Sequence, residues 1–477
     1  MHNAGVARID RYSLVAQWAT TPRRPVVWGR RTVAGQHTRG PGRRIASARA
    51  GTVGLAVGLV FSLTATACSP GTGAAPGSGS SGGAPSSADS SSVGTSSAGP
   101  SSVGPSSAGP SDAAPSAPAS SAQDDEPSGP PSCRDLAGEL SLNQRIGQLF
   151  MAGTSTEGMS EQEADRLAAL KVGSVVVLGN TTTGRDAVAE VTDSIRQRVG
   201  SDHGVKVLLA ADQEGGQVQR LAGPGFDSIP SASEQAEMSD RSLRRSAKKW
   251  GKELKRAGVD ADLAPVADVV PESIGTANEP IGALDRGYGS DVEVVAAKNS
   301  AFIAGMHDAG RMTAVKHFPG LGKVRGNTDF SAEVVDDVTT ADDPDLESFR
   351  AAMEAGTEMV MMSSATYSEI DADGPAAFSS EIISGMLRDD FGYDKVVISD
   401  ALEGEALGDY PVKSRALRFL RAGGDLALVG APDQVEPMVK RVRKAAHKDE
   451  DLQQLIMDAS TRVLIMKAEY GLADCTP

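Results

Sequence analysis

The sequence predicts an α/β protein: a single (β/α)8, TIM-like barrel preceded by a signal peptide and a disordered linker. Three observations carry this. From residue 132 onward, eight short apolar runs recur without strict alternation, as expected of parallel strands buried on both faces. Longer segments with helical periodicity separate the runs. Charged and polar side chains stand just where several of the runs stop, and the C-terminal ends of barrel strands are where such enzymes keep their chemistry.

The first 67 residues are read apart from the fold. Residues 1–50 carry ten Arg against a single acid, Asp10. Residues 51–67 are small and apolar and end in Ala65-Thr66-Ala67 before Cys68. A basic region, a short apolar region and small residues before a Cys predict an export signal with a lipoprotein cleavage box, lipid being attached to Cys68. An ordinary secretory signal or a membrane span is the other reading, although seventeen residues is short for a span. The protein is then expected on the outer face of the cytoplasmic membrane, held by its lipid anchor, or shed from it.

Removing 1–67 changes the charge from −15 to −24, because the removed part carries +10 and −1. So acidic a chain repels nucleic-acid phosphates, and nucleic-acid binding is excluded. Residues 68–131 are almost only Ser, Gly, Ala and Pro apart from Asp124, Asp125 and Glu126. They cannot bury enough apolar surface to offset their ordering entropy and read as a tether. Of three Cys, Cys133 and Cys475 stand near the two ends of the folded part, 132–477. Domain termini often lie together and export brings an oxidising environment, so a Cys133–Cys475 disulfide is expected.

The eight predicted strands are 149–153, 174–179, 207–212, 261–266, 313–318, 359–363, 396–400 and 425–430. Amphipathic segments such as 182–199 and 240–257 lie between them. A doubly wound open sheet is the alternative; against it, no Gly-x-Gly-x-x-Gly fingerprint follows the first strand. Strand three leads into Asp212-Gln213-Glu214-Gly215-Gly216 and Arg220, strand five into Lys316-His317, and strand seven into Asp400. Arg286 follows strand four. Acids and cations converging on one rim suit a polyhydroxylated ligand, since carboxylates accept from hydroxyls while Lys and Arg donate to oxygens. Aromatic residues near these motifs are few (Phe318, Phe330, Tyr288), which limits stacking.

These motifs, together with Lys316–Gly322, Pro375-Ala376-Ala377-Phe378-Ser379 and Ser399-Asp400, resemble glycoside hydrolase family 3, specifically its single-domain, NagZ-like β-N-acetylglucosaminidase branch. The resemblance spans nearly all of 132–477. It implies exo-acting removal of terminal N-acetylglucosamine from peptidoglycan-derived fragments by retaining double displacement. Asp400 is the implied nucleophile, kept ionised by Lys316 and Arg286. Asp212, Arg220, Arg286, Lys316 and His317 are the implied lining of the sugar pocket. No metal and no cofactor are implied, and a monomer is expected.

The sequence departs from that branch at the proton donor. The pattern there has a His after the Lys-His-Phe-Pro-Gly stretch and then a loop Asp-Ser-His; here these positions hold Leu321 and Asn327-Thr328-Asp329. None of the six His lies in this loop. Asp329 takes the catalytic imidazole's place and is the candidate acid/base, provided burial raises its pKa. Alternatively Asp329 orients another donor, with Glu333, Asp336 and Asp337 nearby. Gly322 and Gly326 are expected to let the loop close over substrate. A phosphorylase, a β-glucosidase and a glycan-binding protein that has lost turnover stay open as competing readings.

Overall fold

The computed structural model describes residues 130–477. The expected signal peptide, Cys68 and nearly all of the expected tether lie outside the described residues. Eight parallel strands form one sheet: β1 (Phe150–Ser155), β2 (Ser174–Leu178), β3 (Leu208–Ala211), β4 (Ala261–Asp262), β5 (Met312–Phe318), β6 (Met359–Met362), β7 (Val396–Ser399) and β8 (Ala427–Val429). Each pairs with its sequence neighbour, and β8 returns to β1 through Phe150–Ala427, Met151–Leu428 and Ala152–Val429. The seam between β7 and β8 is narrower, a bridge at Ile398–Leu426 with the Ser399 amide donating to Leu426 at 3.0 Å. The result is a nearly closed barrel, not an open sheet.

The sequence reason is plain in the burial. Val175, Val176, Leu208, Leu209, Val315, Val360, Val397 and Ile398 are all inaccessible, so no face of these strands meets water and no alternation is required. Every strand shifts by a residue or more from expectation at one end or both, and three shift furthest. β1 runs two residues further, to Ser155, and β8 is trimmed at both ends. β4 stops after Asp262 because Pro265, lacking an N–H, cannot continue the ladder; the chain stays extended and rejoins β5 through a Val266–Lys316 bridge. The helices Arg185–Val199 and Asp240–Arg256 lie within the expected amphipathic segments.

The two chain ends meet. Cys133 and Cys475 are joined by a disulfide, with Cα atoms 4.9 Å apart across 342 residues of sequence. Around it Leu136, Ala137, Leu140, Val205, Leu464 and Ala473 form a small separate core, and Ser132 bridges Thr476. Val205 and Lys206 precede β3, so this clasp belongs to the face where strands begin. On that face Lys467 is fully buried, its ammonium donating to Gln148 Oε1 and the Gly173 carbonyl, both at 2.7 Å. Burial pushes this amine down to about 7.

The opposite face, where strands end, is built by longer connections. A hairpin of Gln213–Gly215 with Val218–Gln219 follows β3. Val335–Asp336, Thr366–Tyr367 and Asp371–Pro375 form a small sheet over the ends of β5 and β6. Phe318, at the end of β5, is locked by edge-on contacts with Phe349 and Phe391.

Candidate active site

β3 ends one residue before Asp212, and the hairpin that follows turns the chain back. Gln213 holds it there: its side chain donates to the Leu221 carbonyl at 2.8 Å and accepts from the Leu221 amide at 3.0 Å. Arg220 is thereby brought beside β3, its amide donating to the Asp212 carbonyl and its guanidinium to Asn180 beyond β2. The end of β5, where its register against β6 shifts between Lys316 and Phe318, does the rest. Lys316 and His317 lie on successive positions and take separate partners.

Lys316 is 2 % exposed and contacts two carboxylates, Asp212 at 2.8 Å and Glu214 at 2.7 Å. Glu214 in turn receives a two-pronged contact from Arg286, Nε at 2.9 Å and Nη2 at 2.8 Å. Burial works to raise the Glu214 carboxyl, but Arg286 and Lys316 outweigh it and hold it well below the usual range. The same pairing keeps Lys316 charged: burial works against the ammonium, and Asp212 and Glu214 more than restore it. The two cations expected to face Asp400 are therefore held in ion pairs by Glu214, because a forked guanidinium meets a carboxylate best in two parallel bonds.

His317 is held from the other side. Its Nδ1 lies 2.7 Å from Asp268 Oδ2, while Asp268 Oδ1 accepts from the amides of His317 and Leu321. A carboxylate at Nδ1 assigns the proton there, so the other nitrogen, Nε2, is the one left for a ligand. Beneath these groups Asp262 accepts from the Gln213 amide through Oδ1, and its buried Oδ2 has no partner. Burial, against the pull of that amide, pushes this carboxyl up to about 8.

Asp400 follows β7, with its amide bonded to the Met362 carbonyl and its Oδ1 accepting from the Ala401 amide at 2.7 Å. Asp329 lies on the loop after β5, within electrostatic reach of Asp400, Arg286, His317 and Asp212. Burial first, then the Asp400 charge, push its carboxyl up to about 6, with Arg286 and His317 opposing. The loop is fixed through Asn278, whose amide nitrogen donates to the carbonyls of Leu321, Gly322 and Val324 at 2.7, 3.2 and 2.8 Å. Its oxygen accepts from Ile281 and Gly282. Gly322 packs on the backbone of Val269, where an added Cβ would lie 1.7 Å from the carbonyl oxygen. It is a close-packing point, contrary to its expected part as a hinge.

The structure thus brings Asp212, Arg220, Arg286, Lys316, His317, Asp329 and Asp400 to one rim. Of the three nearby aromatics, Phe318 and Tyr288 are core, and Phe330 is 48 % exposed. Among the described residues no three His, Cys, Asp or Glu are placed to hold a metal ion. Sequence reasoning passed over Asp268 and Asn278 and gave Glu214 no role. Asp268 ends an apolar stretch beyond β4, the same signal that marked Lys316 and Asp400; Asn278 carries no such signal.

Comparison with known proteins agrees with this geometry. The profile of the glycosyl hydrolase family 3 N-terminal domain matches residues 141–466. A beta-hexosaminidase of Xanthomonas oryzae pv. oryzae is 32% identical over 312 residues, covering 62% of this chain and 87% of its own. The crystal structure of a β-N-acetylhexosaminidase from Beutenbergia cavernae superimposes with a TM-score of 0.68 at 44% identity, over 69% of this chain and 99% of that one. A family 3 β-N-acetylglucosaminidase from Paenibacillus gives 0.62 at 27% identity, over 70% and 63%.

Proposed function

The chain belongs to glycosyl hydrolase family 3, and from that premise we propose that it is an exo-acting β-N-acetylhexosaminidase releasing terminal N-acetylglucosamine from peptidoglycan-derived fragments. The observation that carries the reading is the pair of carboxyl groups on the loops that follow β5 and β7. Asp329 is pushed up towards neutrality by burial and by Asp400. A carboxyl that keeps its proton beside a second one placed to attack is the division of labour a retaining glycosidase needs.

In the first step Asp329 gives its proton to the glycosidic oxygen while a carboxylate oxygen of Asp400 bonds to the anomeric carbon and the C–O bond to the leaving group breaks. In the second, Asp329, now ionised, takes a proton from water as the water oxygen displaces Asp400. Asp212, Arg220, Lys316, Arg286 and His317 bind the sugar. Glu214 keeps Lys316 and Arg286 in register, so that their positive charge meets the ring without reorganisation. Export and lipid attachment at Cys68 complete the proposal, the support being the basic and apolar stretches before that residue. Cys68→Ala should then leave the protein unacylated by mass and free of the membrane fraction.

The deciding experiment is aryl release from a chromogenic β-N-acetylglucosaminide by the wild type and Asp400→Asn. Turnover that falls by at least about 10³-fold in the variant is expected, the scale of nucleophile deletions elsewhere. A folded wild type without turnover refutes the reading. Phosphate-independent turnover marks water as the acceptor, and a preference for muropeptides over chitobiose marks the cell wall as the source.

A further inference from the structure

The turn that carries Asp329 also carries an aromatic ring with an open face. The amides of Phe330 and Ser331 both donate to the Asn327 carbonyl, at 3.1 and 2.9 Å. The Asn327 side chain caps the turn by accepting from the Asp329 amide at 2.9 Å. The carbonyls of Thr328 and Asp329 accept from the amides of Ala406 and Glu405 at 3.0 and 3.3 Å, so the loop after β7 holds this turn in place. Bonds back from the third and fourth residues describe a single helical turn, in which successive side chains diverge by about 100°. Asp329 and Phe330 thus leave the turn side by side, not back to back.

Exposure rises along the same residues. Asn327 and Thr328 are buried, Asp329 is half-buried and Phe330 is 48 % exposed, so the chain climbs from the pocket wall to the open surface within four residues. Exposed apolar side chains scattered over a protein mean little. Of the four large ones among the described residues, however, Phe330, Val335 and Val338 lie on the single connection between β5 and β6, and only Leu455 lies elsewhere. Phe330 takes part in none of the ring contacts among the described residues. Consecutive Cα atoms are about 3.8 Å apart, which puts Phe330 one step outward from the group assigned to protonate the leaving oxygen. The terminal sugar goes to buried groups, Lys316, Arg286 and His317; what is attached to it projects outward along the same climb.

We propose that Phe330 is a specificity-determining residue, its ring stacking on the apolar C–H face of the pyranose that departs with the glycosidic oxygen. The proposal rests on the glycosidase reading above. A pyranose carries its hydroxyls around the rim and C–H bonds on its faces, so a flat apolar ring matches a face as the ionic groups of the pocket match a rim. Contact with the part of the substrate that does not react also holds the glycosidic oxygen against Asp329, and such remote binding raises kcat as well as affinity.

The test compares the wild type, Phe330→Ala and Phe330→Tyr on two substrates: a β-linked N-acetylglucosamine disaccharide and trifluoroethyl β-N-acetylglucosaminide. Both leaving groups are alcohols that need a proton from Asp329, but only the first has a ring to stack. In Phe330→Ala, kcat/KM for the disaccharide is expected to fall about five- to tenfold more than for the trifluoroethyl glycoside, the scale of one stacked ring. Phe330→Tyr is expected to restore most of that difference. A displaced Asp329 would slow both substrates alike; that result, like no loss at all, overturns the proposal and leaves the glycosidase reading standing. A folded wild type that turns over neither substrate refutes the glycosidase reading, and the proposal falls with it.

Discussion

Glu214 and Asp329 sit in one pocket and titrate in opposite directions, and the difference lies in what surrounds each. Glu214 meets Lys316 and Arg286 directly, so its folded pKa lies below the unfolded value of about 4.3. Its contribution to stability is present above that value and is lost as pH falls through the folded one. Glu214→Gln should cost about 3–5 kcal/mol at neutral pH, because the buried Arg286 loses its counter-charge and Lys316 keeps only Asp212; urea unfolding measures it, and the variant should lack that acid limb. Asp329 is raised to about 6, so its contribution is present below about 3.9 and is lost as pH rises through 6. Asp329→Asn should therefore melt higher than the wild type at pH 7.5 and alike at low pH. The same substitution should lower turnover of substrates with poor leaving groups by about 10²–10⁴-fold, the usual worth of a positioned acid, and wild-type turnover should decline above about pH 6.

At the scale of elements, the loop after β5 depends on one side chain from the loop after β4. Asn278 satisfies three carbonyls and two amides at once, all of them within the protein rather than in water. Asn278→Ala should destabilise by about 3 kcal/mol, since several buried polar groups lose partners together, and should lower kcat by loosening the segment that carries Asp329. Chemical denaturation and steady-state kinetics check the two effects. Gly322→Ala should do the same by displacing the Val269 backbone. The strands were legible because burial on both faces writes a continuous apolar run, and the rim was legible because Lys316, His317 and Asp400 interrupt such runs. What each cation pairs with was not, since Arg286 choosing Glu214 over Asp400 is settled by fork geometry between residues 72 apart in sequence. Nor was the work of Gly322: a glycine announces tolerance, and only the neighbouring carbonyl shows that the tolerance is for contact. Asn278 lies in a polar loop whose composition would suit any side chain that faces water.

For the whole molecule, the disulfide closes a loop of nearly the entire folded chain. On a chain-entropy account this contributes on the order of 5 kcal/mol, so reduction should shift the denaturation midpoint markedly. Because the clasp gathers residues that precede the strands and the reacting groups follow them, kcat should be unchanged by reductant under conditions where the protein stays folded. The clasp also sets a direction. Residue 130 departs beside Thr476 and Cys475, across the full depth of the barrel from Asp400. A probe attached at residue 130 therefore stands at the opposite end of the barrel from the pocket's mouth and leaves that mouth unobstructed.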